Sequence, residues 1–254
     1  MFPPFYNGDH NIVFKTSTEP NLMWKDIESF KLFLFDLDDT LINTRQSVQV
    51  GWKTALEHSS FLPSDFSFQN ALTLLEFLSS KFGTSADLEY WHAFVTEILH
   101  CHLPYPHPIA IQLCETYRNA YWKTLTPFNH VLPFLNTLKE NNKFLSLISN
   151  GEKKFQNQKL KHTQLDKFFD PATVFISSQF PSSLKKPSPF MINKALEKFS
   201  ISPTQTLFFG NADTDIIAGN LAGIRTTLVF SIPNSSHQSR LLNHTFHLSS
   251  WDML

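Results

Sequence analysis

Cys101 and Cys114 are the only cysteines in 254 residues. Two are too few for a disulfide framework, so stability has to come from packing, and a reducing cytoplasm is the expected setting. An excess of one charge is missing too. Twenty-one basic and 22 acidic side chains leave a formal net charge of −1, which offers no pull toward nucleic acid or an anionic membrane surface. No apolar run approaches the length of a membrane span. The opening MFPPFYNGDHNIVFK lacks the basic-then-apolar order of a secretory signal. Glycine is scarce: of seven, Gly151, Gly210, Gly219 and Gly223 lie at or just beyond strand ends in the second half. In a chain this poor in glycine, those are places where backbone turns sharply or comes close to something. With 42% hydrophobic and 17% charged residues, the chain is globular and long enough for one or two domains.

What is present centres on Lys31 to Leu41, KLFLFDLDDTL. Leu32-Phe33-Leu34-Phe35 suits a strand buried on both faces. It ends in Asp36, Asp38 and Asp39, with Thr40 beside them. Clustered carboxylates repel one another and lose hydration, so they persist where a cation or a hydrogen-bonded network offsets the cost. In an open α/β sheet, ligands bind outside the carboxyl ends of strands. An acidic helix cap is the plainer reading, but one Asp would satisfy it.

Residues 1–30 read as an N-terminal extension packed by its aromatic residues. From about residue 43 to 126 the apolar spacing is helical, in SVQVGWKTALEH, FQNALTLLEFLSSKF, LEYWHAFVTEILH and IAIQLCETYRNAYWKTL. Pro63, Gly83-Thr84-Ser85 and the Pro104–Pro108 segment separate these helices. Beyond Pro127, strands alternate with helices. Helix 131–140 leads to strand KFLSLIS and a polar helix over 152–162. Strand TVFIS and helix PSPFMINKALEKF follow, then strand TLFFG, helix DTDIIAGNLAGI and strand RTTLVF, with a short strand and helix in HTFHLSSWDML. This order calls for an α/β fold: a Rossmann-like, doubly wound parallel sheet formed by residues 1–42 and 127–254, with 43–126 inserted as an all-helical cap.

Three further strand ends carry polar groups. Ser149-Asn150-Gly151 offers a hydroxyl, an amide and a turn into a helix, suited to a phosphate or to an ordinary N-cap. Lys186, before Pro187, could neutralise phosphate, although a lysine in a loop is usually solvated. In Gly210-Asn211-Ala212-Asp213-Thr214-Asp215 the acids could cap a helix or supply oxygen ligands to a hard cation.

Together, and in this order, these segments resemble the haloacid dehalogenase superfamily, chiefly its phosphatases with a helical cap. Asp36-Leu37-Asp38-Asp39-Thr40 is similar to the family's first motif, Asp-x-Asp-x-Thr, after an apolar strand. Ser149 corresponds to the second motif, Lys186 to the third and residues 210–215 to the fourth. The resemblance implies Asp36 as nucleophile and Asp38 as acid and then base. It implies Ser149, Asn150 and Lys186 as phosphate-binding residues, and Mg²⁺ held by Asp36, the Asp38 backbone carbonyl, Asn211 and Asp215. The implied partner is a small phosphorylated metabolite, such as a sugar phosphate, phosphoglycolate or a nucleoside monophosphate. Asp38 favours phosphate chemistry over dehalogenation, which needs no second acid; a phosphomutase would share the first half-reaction. One departure stands out: Gly210-Asn211 replaces the family's Gly-Asp, which removes a charge from the metal site. The alternative reading is therefore a catalytically impaired protein that binds a phosphorylated ligand or a protein partner. The cluster His100, Cys101, His102 and His107 lacks a familiar zinc spacing and reads as loop. Trp52, Trp91 and Trp122 read as packing between helices.

Overall fold

The structure, a computed structural model, describes residues 24–57, 67–82, 87–229, 246–248 and 251. Six parallel strands form one sheet in the order β3-β2-β1-β4-β5-β6. They are β1 Leu32–Phe35, β2 Phe144–Ser149, β3 Val174–Ile176, β4 Thr206–Gly210, β5 Arg225–Val229 and β6 Phe246–Leu248. From β1 the chain steps to one side through β2 and β3, then returns past β1 to build β4, β5 and β6. The order therefore reverses between β1 and β4, where doubly wound sheets open a crevice. Phe35 is level with Leu147 on one side and Phe209 on the other. Asp36, Ile148-Ser149 and Gly210-Asn211 consequently leave the sheet side by side.

Alternation along β1 explains the two layers, since successive side chains point to opposite faces. Phe33 and Phe35 enter one core and Leu32 and Leu34 the other. The first core stacks Phe35 on Phe209, ring centres 5.1 Å apart, against Phe134 of α6 (Val131–Glu140). The second packs Met191, Ile192 and Ala195 of α8 (Phe190–Phe199) and Ala218 of α9 (Asp213–Leu221) on Leu32, Leu34 and Phe208. α8 begins after Pro187 and Pro189, not with proline in its first turn, as its sequence implied. Gly219 lets α9 come down on β5. A Cβ there would lie 2.2 Å from Thr226 Cγ2, a β-branched side chain fixed in the sheet. Gly219→Ala is expected to lower unfolding free energy by roughly 1–3 kcal/mol as overpacking, measured by urea denaturation; an unchanged midpoint would mean that the helix can lift freely.

Four helices fill most of the stretch between β1 and β2: α2 Thr44–Glu57, α3 Phe68–Phe82, α4 Leu88–Leu99 and α5 Pro108–Thr124. Trp91 is fully buried among them, against Tyr90, Phe94 and Tyr117. His107 caps α5, accepting the Ile109 N–H. The two chain crossings into this block are stitched together. Asn43 N–H donates to Thr126 O at 3.1 Å, Asn43 Nδ2 donates to Thr124 O, and Thr126 N–H donates to Asn43 Oδ1. α5 then meets the sheet layer by stacking Tyr121 on Phe155 of α7 (Lys153–His162), with Trp122 edge-on to the same ring. Pro63 and the 83–85 break lie outside the described residues. Of the N-terminal extension, only residues 24–30 are described; they contain α1 (Trp24–Ile27), and Ile27 and Phe30 are buried. The short strand read in the tail is β6; apart from Trp251, the helix read after it lies outside the described residues.

Candidate active site

Asp36 leaves β1 almost without solvent contact, and the surroundings compensate. Its Oδ1 lies 2.5 Å from Lys186 Nζ, and its Oδ2 accepts from Thr40 Oγ1 at 3.2 Å. Burial, joined by the Asp215 and Asp38 carboxylates, outweighs the pull of Lys186 and leaves the Asp36 carboxyl pushed up to about 7. Trp251 braces the turn from behind, its indole N–H donating to Thr40 O at 3.0 Å.

Lys186 is 3% exposed, which corrects the solvated-lysine reading of this loop; neighbouring Lys185 is the exposed one. Its ammonium donates to Asp36 Oδ1 and to Ile148 O at 2.9 Å, and pairs with Asp215 Oδ1 at 2.7 Å. The two carboxylates hold its ammonium pKa above the ordinary value despite burial. Asn150 ties the same loop down, donating to Lys186 O at 2.9 Å and accepting from Lys186 N at 3.0 Å. Asp215 is equally committed, because its second oxygen accepts from the N–H groups of Asn211 and Ala212. Gly210 permits this: a Cβ there would sit 2.4 Å from Asp215 Cβ.

Asp38, in the same extended run, faces α7 and the start of α2. Lys159 Nζ lies 2.6 Å from its Oδ1, Gln156 Nε2 donates to its Oδ2 at 2.7 Å, and Thr44 Oγ1 donates to Oδ1 at 2.5 Å. Burial opposes ionisation of Asp38, but Lys159 and the three donors outweigh it and hold the carboxyl below its usual range. Gln156 also donates to Ser149 Oγ at 2.7 Å. The Ser149 hydroxyl hydrogen has only a 3.5 Å contact, to Asn150 O, so it stays nearly free to donate.

The structure thus gathers all seven residues singled out from the sequence at one strand-end crevice, and adds two. Gln156 and Lys159, both buried, sit on a helix that reads as mostly polar, KKFQNQKLKH. Their only sequence signal is a three-residue spacing beside Leu160, which puts them on the inward face.

The donors present fit a hard cation of the Mg²⁺ kind only in part. Among the described residues no group of three or more His, Cys, Asp or Glu side chains is arranged to hold a metal. Asp36 Oδ2 and Asn211 Oδ1 do converge, each 3.2 Å from Thr40 Oγ1. Among the described residues Asp213 Oδ1 has no hydrogen-bond partner although it is buried, an oxygen that a cation would satisfy. Mg²⁺ commonly takes one or two carboxylates and fills its remaining positions with water and substrate oxygens, so this donor set is adequate.

The sheet order and the carboxylate–lysine cluster at its switch point define a doubly wound α/β protein with a strand-end site of a recognisable kind. The family described as haloacid dehalogenase-like hydrolase matches residues 33–229, and the chain belongs to it. It is 26% identical over 196 residues to the pyrophosphatase PpaX of Bacillus mycoides (77% of this chain, 81% of that one). It is 29% identical over 201 residues to the phosphoglycolate phosphatase of Vibrio vulnificus (77% and 82%). Among solved structures it is similar to a HAD family hydrolase of Deinococcus radiodurans with bound phosphate and sodium: TM-score 0.62, 18% identity, 89% and 93% coverage. It is also similar to the magnesium-bound HAD-hydrolase YfnB of Bacillus subtilis, with TM-score 0.60, 21% identity and 88% and 96% coverage. No helix among the described residues is long and apolar enough to cross a membrane.

Proposed function

We propose that the protein is a Mg²⁺-dependent phosphomonoesterase for small phosphorylated metabolites, working through an aspartyl-phosphate on Asp36. Residues 43–126 act as a cap over the strand ends of a core formed by 1–42 and 127–254. One observation carries this reading: a carboxylate at the switch point is held in place by Lys186 and Thr40, with a second carboxylate two residues on and a nearly free serine hydroxyl beside it. The phosphatase names of the relatives support the same class.

In the first step an Asp36 oxygen bonds to phosphorus as the bond to the leaving alkoxide breaks, and Asp38, which takes up a proton on leaving Lys159 for the substrate, gives it to that alkoxide. In the second, Asp38 takes a proton from water as the water oxygen attacks phosphorus, releasing phosphate and Asp36. Lys186, with its donors committed, fixes Asp36 rather than gripping the phosphoryl group. Ser149 supplies a hydroxyl to a phosphoryl oxygen, and Asn150 holds the Lys186 loop. Asp36, Asn211, the Asp38 carbonyl and Asp213 would hold Mg²⁺, with Asp215 behind them on Lys186. The metal, when bound, supplies the positive charge that lets two anions approach.

The test is hydrolysis of p-nitrophenyl phosphate with Mg²⁺ and with EDTA. Turnover should require the metal. Ligand-induced stabilisation without turnover of any phosphomonoester would replace the reading with that of a phosphate-binding protein. Asn211→Asp restores a charge, so it should lower the Mg²⁺ concentration for half-maximal activity by about tenfold. An unchanged Mg²⁺ dependence would remove Asn211 from the metal's surroundings.

A further inference from the structure

We propose that Lys159 is a second substrate-facing cation, and that it selects phosphomonoesters whose leaving group carries its own anion, a carboxylate or a second phosphoryl group. This rests on the phosphomonoesterase reading above and narrows it.

The positive charges near the site are not equivalent. Lys186 sits between two carboxylates and a backbone carbonyl. Lys159 Nζ, on a side chain almost as buried, bonds one carboxylate oxygen, Asp38 Oδ1, feels the Asp39 carboxylate at longer range, and otherwise lies over the Phe155 ring, 4.9 Å from its centre. Among the described residues, two of its N–H groups have no hydrogen-bonded oxygen. Asp38 is also the acid for the leaving alcohol, so it must turn to that oxygen and away from Lys159. A buried ammonium that loses its hydrogen-bonded carboxylate is costly unless another anion takes that place. The place it leaves open is on the leaving-group side, because Asp38 itself spans the distance between Lys159 and the leaving oxygen.

Among the described residues, two more buried groups at this place have hydrogen-bonding capacity to spare. One is Gln156 Oε1, on the amide whose nitrogen holds Asp38 and Ser149. The other is Tyr121 Oη, on the α5 ring stacked on Phe155, with the Thr44 side chain beside it; burial, and after it the Asp38 carboxylate, holds the phenol proton on. A cation with spare donors, a hydroxyl and an amide oxygen suit a small leaving group with an anionic end and a hydrogen-bonding neighbour. They do not suit an apolar one.

The experiment compares phosphoglycolate with 2-hydroxyethyl phosphate, close in size but with a neutral hydroxymethyl end, and adds pyrophosphate as the second anionic arm. The wild type should show kcat/KM at least about tenfold higher for phosphoglycolate or for pyrophosphate than for 2-hydroxyethyl phosphate; whichever leads identifies the anion. In Lys159→Met the ratio should collapse toward one, chiefly through KM, while Lys159→Arg keeps most of it. A merely structural lysine would lower all three substrates equally, and that result would overturn the proposal. So would a wild-type ratio of one or less in both arms. Calorimetric binding of phosphoglycolate and 2-hydroxyethyl phosphate to wild type and Lys159→Met makes the same comparison without turnover. Charge-selective binding with no hydrolysis would therefore sink the phosphatase reading and leave Lys159's role standing; hydrolysis without selectivity would do the reverse.

Discussion

Asp36→Asn will reduce turnover of every phosphomonoester by at least about a thousandfold, the scale of loss when a covalent nucleophile is removed. The folded protein should survive. Asparagine keeps an oxygen for Lys186 and Thr40 and removes a carboxylate whose ionisation burial already resists. Lys186 still has Asp215 as counterion, so unfolding free energy should change by no more than about 1 kcal/mol. Loss of activity with an unmoved melting temperature separates a chemical role from a structural one. Substantial residual activity would place the nucleophile elsewhere.

Lys186→Met has the largest expected effect on stability. Removing the ammonium leaves Asp36 and Asp215 facing each other, buried, with no cation between them. Stripping one partner from a buried ion pair costs about 3–5 kcal/mol, because the stranded charge cannot regain water. The sign of the pH dependence follows. The Asp36 carboxyl, already raised to about 7 by burial, loses the Lys186 charge that lowers it and rises further. The burden is then absent when that carboxyl is protonated and grows as pH rises through its raised value. The deficit in urea denaturation should therefore be largest at neutral pH and shrink on acidification. Asp215→Asn added to Lys186→Met should return part of the loss, since the two residues share one network. A deficit independent of pH would mean that lost packing, not stranded charge, is responsible.

Much of this arrangement was legible in the residues because it is local and repetitive. A four-residue apolar run closed by Asp36-Leu37-Asp38 can be read directly, since strand burial and strand-end acids lie within one short segment. Alternating strands and helices fix the sheet class for the same reason, and the helical period over 43–126 marks the insertion. What resisted reading depends on where the chain returns. Lys186 looks like any loop lysine until β2 and β4 bring Ile148 O and Asp215 to its ammonium. Lys159 is one of four lysines in α7, and nothing nearby in sequence marks it as the one paired with a carboxylate 121 residues away. Trp251, bracing Thr40 from 211 residues away, is invisible for the same reason. The commitment of Asp215 to Lys186 and two backbone N–H groups redistributes the metal donors in a way no spacing shows.

The central claim is that the side chain of residue 36 becomes phosphorylated during turnover. Sodium borohydride reduces an acyl phosphate to the alcohol, so an enzyme quenched in mid-reaction and then reduced should yield a peptide with homoserine at position 36. That product should depend on Mg²⁺ and on substrate, and should disappear in Asp36→Asn. Sustained phosphate release with residue 36 unmodified, or with the reduced residue at any other position, would contradict the account.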